Sequence, residues 1–328
     1  MNKHVEEENG SQFVPKISVL MLAYNQAQYI DEAIAGVMRQ RCPYAFELVI
    51  ADDASTDETG ERCRRWQARY PQQIVYLRNE QNVGLAQNFY DAYHRLRGEY
   101  VAICEGDDYW LSKHKLRRQV EWLEVHLEYV CCYHRVVNYV EETGEKSLSN
   151  GGRFAKRDIA LLDLAACNYI TNVSAVFRRS CTPQLPEWFR ETPTYDYALH
   201  LLNAEHGLSH FMSRPMAVYR HHQGAAWSTA GKLHAAKISV GVRGLLIDHF
   251  AAKGREDVCE CLRPVYLKGL ADLQKSQPND CTDGQPNERT GVRPRRRNPI
   301  VRALSRLIPL PRMRKVPENI PQCAPDTQ

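Results

Sequence analysis

The acidic residues of this chain are grouped in ways that could do chemistry. Glu105-Gly106-Asp107-Asp108 follows directly on the apolar run Tyr100–Cys104. Carboxylates gathered at the end of a buried segment repel one another, and a divalent cation removes that repulsion. Hard oxygen ligands at this spacing suit Mg2+ or Mn2+, with diphosphate oxygens completing the shell. An acidic turn or helix cap would have the same composition. Asp52-Asp53-Ala54-Ser55-Thr56-Asp57 is a second group. Its Asp and Ser residues could cap a helix, or a carboxylate there could accept a hydrogen bond from a base edge or a ribose hydroxyl. The third group, Asn82-Val83-Gly84-Leu85-Ala86-Gln87-Asn88, reads as a turn entering a helix, whose free N–H groups attract anions. Plain turn chemistry explains it equally well.

These groups need elements to position them. The runs 17–22, 47–51, 74–77 and 100–104 are short, apolar and rich in β-branched residues, as buried strands are. Between them, 29–40, 56–68 and 84–96 carry apolar residues at helical spacing. Strand and helix alternate at βαβ spacing, which predicts an α/β fold with a mostly parallel central sheet flanked by helices. The polar clusters then sit just beyond strand ends, where open α/β sheets bind ligands. Further on, the pattern predicts a helix over 116–125, a strand over 129–140 and a polar, glycine-containing loop over 141–152. It then predicts a helix over 158–166, a strand over 174–177, a helix over 195–206, a strand over 216–220, and two helices within 234–275.

Order and spacing together are more specific than any one cluster. Ala23-Tyr24-Asn25 at a strand end, then Asp52 to Asp57, then Asn82-Val83-Gly84, then Glu105 to Asp108, resembles the family 2 glycosyltransferases of the GT-A, or nucleotide-diphospho-sugar transferase, fold. The resemblance extends over about residues 16–228. It implies a donor site in which Ala23, Tyr24, Asn25, Asp52, Asp53, Asn82, Gly84, Asn88, Glu105 and Gly106 bind the nucleotide. It implies a Mn2+ or Mg2+ ion held by Asp107, His222 and Glu105, where Glu105 replaces the family's usual aspartate with a side chain one methylene longer. His222 comes from Tyr219-Arg220-His221-His222, similar to the family's Tyr-Arg-x-His segment. Tyr195-Asp196-Tyr197 resembles the acidic motif that bears the general base, which makes Asp196 the catalytic residue; an Asp in a first helical turn can also serve only the helix dipole. Thr171, Asn172 and Ser174 fall where relatives carry a polar loop beside the acceptor.

What the resemblance implies is inverting, non-processive transfer of one sugar from a nucleotide-diphosphate sugar to a hydroxyl of a saccharide or lipid-linked acceptor. The setting would be bacterial surface polysaccharide or glycolipid synthesis. A catalytically silent nucleotide-sugar-binding scaffold of the same fold is the alternative. A dinucleotide-binding oxidoreductase is disfavoured because the first strand-helix turn lacks G-x-G-x-x-G. A processive synthase is disfavoured too: Arg65-Trp66 is preceded by Arg62 instead of Gln, and no apolar stretch is long enough to span a bilayer.

The bulk composition agrees with a globular chain: 328 residues, 43% hydrophobic, 25% charged, formal net charge +4. Its 11 cysteines include no CxxC pair, so a zinc site is not expected, and reduced, buried thiols suit a cytoplasmic protein. Residues 1–15 are polar, lack an apolar signal segment and are expected to be disordered. The catalytic domain is expected over 16–230 and a helical extension over 231–275. Residues 276–328 form a Pro-rich tail expected to be disordered. Its basic run Arg293 to Arg297 could give peripheral contact with the anionic inner face of a membrane, and no nucleic acid partner is expected.

Overall fold

The computed structural model describes residues 13–149, 157–223 and 231–276. Most of the expected N-terminal segment, residues 224–228 of the family-like stretch and nearly all of the basic tail lie outside the described residues.

The first half builds the expected alternation. Strand β1 (Ile17–Ala23), helix α1 (Ile30–Met38), β2 (Phe46–Asp52), α2 (Thr59–Arg69), β3 (Ile74–Arg78), α3 (Leu85–Tyr93) and β4 (Tyr100–Ile103) follow in order. Strands β3, β2, β1 and β4 lie side by side and parallel. Parallel strands covered on both faces read as unbroken apolar runs, and every residue of β1, β2 and β4 is buried. Period-2 geometry divides them. Val19 and Met21 face a core shared with Ile34 and Val37 of α1. Leu20 and Leu22 face a second core shared with Phe89 and Tyr93 of α3.

The second half completes the sheet less regularly. It comprises β5 (Tyr109–Trp110), α4 (Lys115–Val125), β6 (Tyr129–Val140), β7 (Glu145–Leu148), β8 (Asp158–Ile159) and α5 (Leu161–Ala166). These are followed by β9 (Val176–Arg178), α6 (Asp196–Ala204), β10 (Leu208–His221), α7 (Lys232–Ala252) and α8 (Glu256–Lys275). The strand order is β3-β2-β1-β4-β9-β6-β10-β5, with β7 on β6 and β8 on β10. Strand β9 runs antiparallel to both β4 and β6, while β6 and β10 are parallel.

Three sequence expectations change. Part of the expected loop 141–152 is strand β7, all of whose residues are exposed, so no apolar pattern announced it. The helix expected from 158 begins at Leu161, after the short strand β8. The final strand starts at Leu208 and keeps pairing with β6 across an irregularity between Met212 and Ala217, around Pro215. Helices α7 and α8 occupy the expected extension and pack into the main core. Leu246, Phe250, Val258 and Leu262 share one core with Leu20, Phe89 and Leu199. Among the described residues eight cysteines are free thiols, of which Cys63, Cys104, Cys131, Cys132 and Cys259 are buried.

Candidate active site

The carboxyl ends of β1, β2 and β4 lie along one edge of the sheet, and each ends in a polar turn. Backbone bonds tie these turns together: Asp53 N donates to Ala23 O at 2.9 Å, and Gly106 N donates to Leu22 O at 3.0 Å. Asn25 and Ala54 both adopt positive φ, 52° and 60°. Asn tolerates that region, whereas for Ala it costs about 1 kcal/mol. The turns clasp each other across this conformation. Asn25 N donates to Ser55 Oγ at 3.0 Å, and Thr56 N donates to Asn25 Oδ1 at 2.8 Å. Tyr24, between the buried Ala23 and Asn25, is 47% exposed and leaves its ring open above the turn.

The two aspartates at the end of β2 tie the neighbouring turns together. Asp52 is fully buried and accepts bonds from Ser55 N (2.8 Å), Tyr76 OH (2.5 Å) and Arg78 Nη1 (2.6 Å). Both of its oxygens are thus engaged within the chain. Asp53 accepts from Asn79 Nδ2, Val83 N and Gly84 N, each at 2.9 Å. The N–H groups of Val83 and Gly84, which the sequence left free for an anion, therefore go to Asp53. Gly84 sits at φ 89° with open space around it, so backbone conformation demands glycine there. Asn82 Nδ2 reaches only Asp53 O, at 3.5 Å, while Asn88 bonds Ala51 O and receives Asn79.

The acidic loop after β4 splits by role. At Gly106 a β-carbon would fall 2.3 Å from Gln26 Oε1, 2.8 Å from Ile30 Cδ1 and 3.2 Å from Leu22 O, so glycine lets the loop lie against β1 without moving these neighbours. Asp107 keeps a partly exposed carboxylate, with Oδ2 3.1 Å from His222 Nε2. Asp108 is 2% exposed and accepts from Arg220 N at 2.8 Å. Burial, then the charges of Asp107 and Glu105, push the Asp108 carboxyl well up. Glu105 turns toward the second half of the chain. Its Oε1 accepts from Asn172 Nδ2 at 2.5 Å and from Tyr195 OH, while its buried Oε2 has no hydrogen-bond partner. Burial pushes Glu105 up to about 7; Asp107 adds to this, and the Tyr195 and Asn172 bonds oppose it.

The chain's later elements close the site. Asp196 opens α6, partly exposed, and accepts from Thr194 Oγ1 at 2.8 Å. One turn below it, His200 is buried and driven down to about 4 by that burial. Arg220 donates through Nε to Asp107 O and through Nη2 to Glu32, both at 2.8 Å. Its guanidinium lies 4.8 Å from the Tyr29 ring and 5.1 Å from that of Tyr109, and the Tyr29 ring packs 4.6 Å from His222.

The structure thus bonds Glu105 and Asn172 to Tyr195, next to Asp196 in the chain, and pairs Asp107 with His222. Asn25, Asp52, Asp53, Asn82, Gly84 and Asn88 build the adjoining wall. Ser174 is corrected: it is fully buried, bonds Thr171 O at 2.6 Å, and has its carbonyl held by Gln119. It shapes the turn and offers nothing to an acceptor. Sequence reasoning gave no part to Tyr29, Tyr195 or Arg220. The only signal for them was adjacency: Tyr195 precedes Asp196, and Arg220 lies two residues before His222.

Among the described residues, no group of three or more His, Cys, Asp or Glu side chains forms a metal cage. The Asp107–His222 pair instead offers one carboxylate oxygen and one imidazole nitrogen. That fits an ion such as Mg2+ or Mn2+ that takes its remaining ligands from a phosphate group and water.

Residues 18–185, just over half of the chain, match the family described as Glycosyl transferase family 2. The chain belongs to glycosyl transferase family 2. The match ends before Asp196 and His222, so those two rest on the later motifs and on the geometry above. An uncharacterized protein of Mycobacterium tuberculosis is 37% identical over 214 residues, which is 65% of this chain and 61% of that protein. The chain therefore matches less than two thirds of that relative's length. Among solved structures, S. aureus TarS 1–349 in complex with UDP-GlcNAc superposes with a TM-score of 0.57 at 18% identity, over 79% of this chain and 80% of the other. The mannosyltransferase PcManGT from Pyrobaculum calidifontis, in complex with GDP-Man and Mn2+, gives a TM-score of 0.54 at 20% identity, over 81% and 76%. At these identities the likeness is one of fold, and the GT-A architecture expected for the family is the one observed.

Proposed function

We propose that this family 2 member transfers one sugar, with inversion, from a nucleotide-diphosphate sugar to an acceptor hydroxyl. The observation that carries the reading is the Asp107–His222 pair at the carboxyl edge of the sheet, two residues beyond Glu105, whose own carboxylate reaches the helix that starts at Asp196. Solved structures of similar fold hold UDP-GlcNAc, or GDP-Man with Mn2+.

The open ring of Tyr24 and the Asn25 turn receive the nucleoside, and Asp52 and Asp53 keep the wall behind it rigid. Asp107 and His222 hold a Mn2+ or Mg2+ ion, which when bound offsets charge on the leaving diphosphate. Glu105, engaged by Asn172 and Tyr195, is left out of that ligand set. Asp196 takes the proton of the acceptor hydroxyl as it attacks the anomeric carbon from the side opposite the leaving group. Thr171 and Asn172 flank the acceptor side. A single displacement needs no covalent enzyme intermediate. The acceptor class is a saccharide or lipid-linked saccharide of a bacterial surface polymer, a setting inferred from the family. The basic stretch beyond residue 292 would then favour an anionic membrane surface. No helix among the described residues is long and apolar enough to cross a membrane.

The test is a thermal-shift screen of UDP- and GDP-sugars with and without Mn2+, followed by assay of nucleoside diphosphate release. A true donor raises the melting temperature by mass action. Asp107→Ala should lose the Mn2+-dependent part of that rise while melting normally without ligand. Stabilisation with no release by the wild type would favour a silent binder, and a full Mn2+ response in Asp107→Ala would remove the assigned metal site.

A further inference from the structure

One hydroxyl joins three elements that meet nowhere in the sequence. Tyr195 is 2% exposed and directly precedes Asp196. Its OH donates to Glu105 Oε1 at the end of β4, and Asn172 Nδ2 donates to that OH at 2.6 Å from the turn before β9. Its ring stacks on Phe89, with centroids 4.0 Å apart and planes 17° apart. Asp107, the proposed metal ligand, lies two residues beyond Glu105; Asp196, the proposed base, lies one residue beyond Tyr195. The Glu105–Tyr195 bond is therefore the short connection between the donor side and the base. The extra methylene of Glu105, relative to an aspartate, supplies reach for that bond.

Asn172 Nδ2 donates both to Glu105 Oε1 and to Tyr195 OH, and Tyr195 OH donates to Glu105 Oε1, so the three side chains close one ring of hydrogen bonds beside the proposed base.

We propose that Tyr195 is a positioning residue for sugar transfer: through its hydrogen bond to Glu105 it registers the first turn of α6, and so Asp196, against the donor-binding loop. The proposal rests on the reading of Asp196 as base. Tyr195→Phe removes the hydroxyl and keeps the stack on Phe89. The start of α6 then loses its tie to the donor loop, while the wall that holds the nucleotide is untouched.

The experiment compares wild type, Tyr195→Phe and Tyr93→Phe with UDP-GlcNAc, GDP-mannose and further UDP-sugars, reading nucleoside diphosphate release, donor KM, UDP affinity with Mn2+ and melting temperature. Tyr93 is the control. It is equally buried and donates to Thr182 O at 2.7 Å, away from the site, so its variant reports the cost of deleting a buried hydroxyl. Tyr195→Phe should lose about 10- to 100-fold in kcat, the scale expected for a reacting group displaced by about an ångström. Its UDP affinity and donor KM should stay within about threefold of wild type, a range small against that loss. Tyr93→Phe should match it in melting temperature and keep full kcat. Glu105→Gln combined with Tyr195→Phe should lose less than the sum of the two single losses, because both act through one bond. If Tyr195→Phe fails to fold, Asn172→Ala, which strips a donor and spares the ring, should show the same split between kcat and KM. Unchanged kcat in an active background, or additive losses, overturns the proposal alone. A wild type that releases nothing from any nucleotide sugar overturns the transferase reading, and this inference with it.

Discussion

The two ends of the sheet each bury a glutamate, and they treat it differently. At the amino edge, Glu47 is 1% exposed and every oxygen is answered. Ser18 Oγ donates to Oε1 at 2.6 Å and Arg97 N at 3.0 Å, while Arg97 Nε and Nη2 donate to Oε2 at 2.8 and 2.5 Å. Gly98 is tightly fitted there, since a β-carbon would fall 2.4 Å from Ser18 N. At the carboxyl edge, Glu105 places two donors on one oxygen and none on the other, beside two more carboxylates. Among the described residues no arginine pairs with it as Arg97 does with Glu47; Arg220 bonds the backbone of Asp107 instead. One edge is a closed joint with its charge answered; the other gathers three carboxylates, Glu105, Asp107 and Asp108, within four residues.

The largest effect that could break this contrast is at the carboxyl edge. Asp196→Asn preserves volume and can still accept from Thr194, but an amide does not take up a proton near neutral pH. Turnover should fall by about 10²–10⁴-fold with little change in melting temperature. A variant that melts early yet turns over normally would make Asp196 a helix-terminus residue and leave the base unassigned.

The amino edge should respond the opposite way. Glu47→Gln keeps the shape and removes the charge that Arg97 answers, leaving an amide N–H₂ among donors. A loss of about 1–3 kcal/mol in unfolding free energy is expected, because a buried group is left mismatched. Turnover per folded molecule should be unchanged, measured by denaturant melts and donor consumption side by side. A selective fall in kcat would mean that the two edges are coupled.

The smallest effect concerns a buried cation close to the carboxyl edge but outside the site. Lys115 is fully buried, 4.4 Å over the Trp110 ring, and burial drives its pKa down to about 7. Unfolded, it would titrate near its ordinary value of 10.5. Above pH 7 the unfolded chain therefore holds the extra proton, and this residue's contribution makes stability rise with pH. The window closes near pH 9, where the ordinary thiol titrates in the unfolded chain while burial holds Cys63 and Cys131 at about 12; their contribution has the opposite sign. Lys115→Met should raise the melting temperature at pH 7 and flatten its rise from pH 7 to 9. An unchanged slope would show that Lys115 finds a partner when folded.

Much of the carboxyl edge was legible because local signals coincide there. Apolar runs end in acids and amides within a few residues, so the βαβ reading alone places Asn25, Asp52 and Asp107 at strand ends. The relations that decide their roles were not legible. Asp52 is closed off by Arg78, 26 residues on, and Glu105 meets Tyr195 across 90 residues. Such pairings leave no periodicity, and the short, exposed or irregular strands β5, β7 and the start of β10 leave no apolar pattern either. Ser174 shows the converse error: a polar residue in a polar segment that the fold turns inward.

Strand β9 carries a consequence for how the molecule assembles. The β3-β2-β1-β4 ribbon is made from neighbouring stretches of chain, each closed by a local crossover, and none of its own strand pairings uses residues beyond Ile103. The β6–β10 pair joins that ribbon only when Val176–Arg178 slots between Tyr100–Ala102 and Cys131–Cys132. Contacts across such long stretches form late, because loop closure must precede them. The turns after β1 and β2 can thus take shape while the chain is still emerging, whereas the Glu105–Tyr195–Asn172 bonds cannot. The turns at the ends of β1 and β2 should order in refolding before the Asp107–His222 and Glu105–Tyr195 bonds, with β9 insertion as the step that separates them.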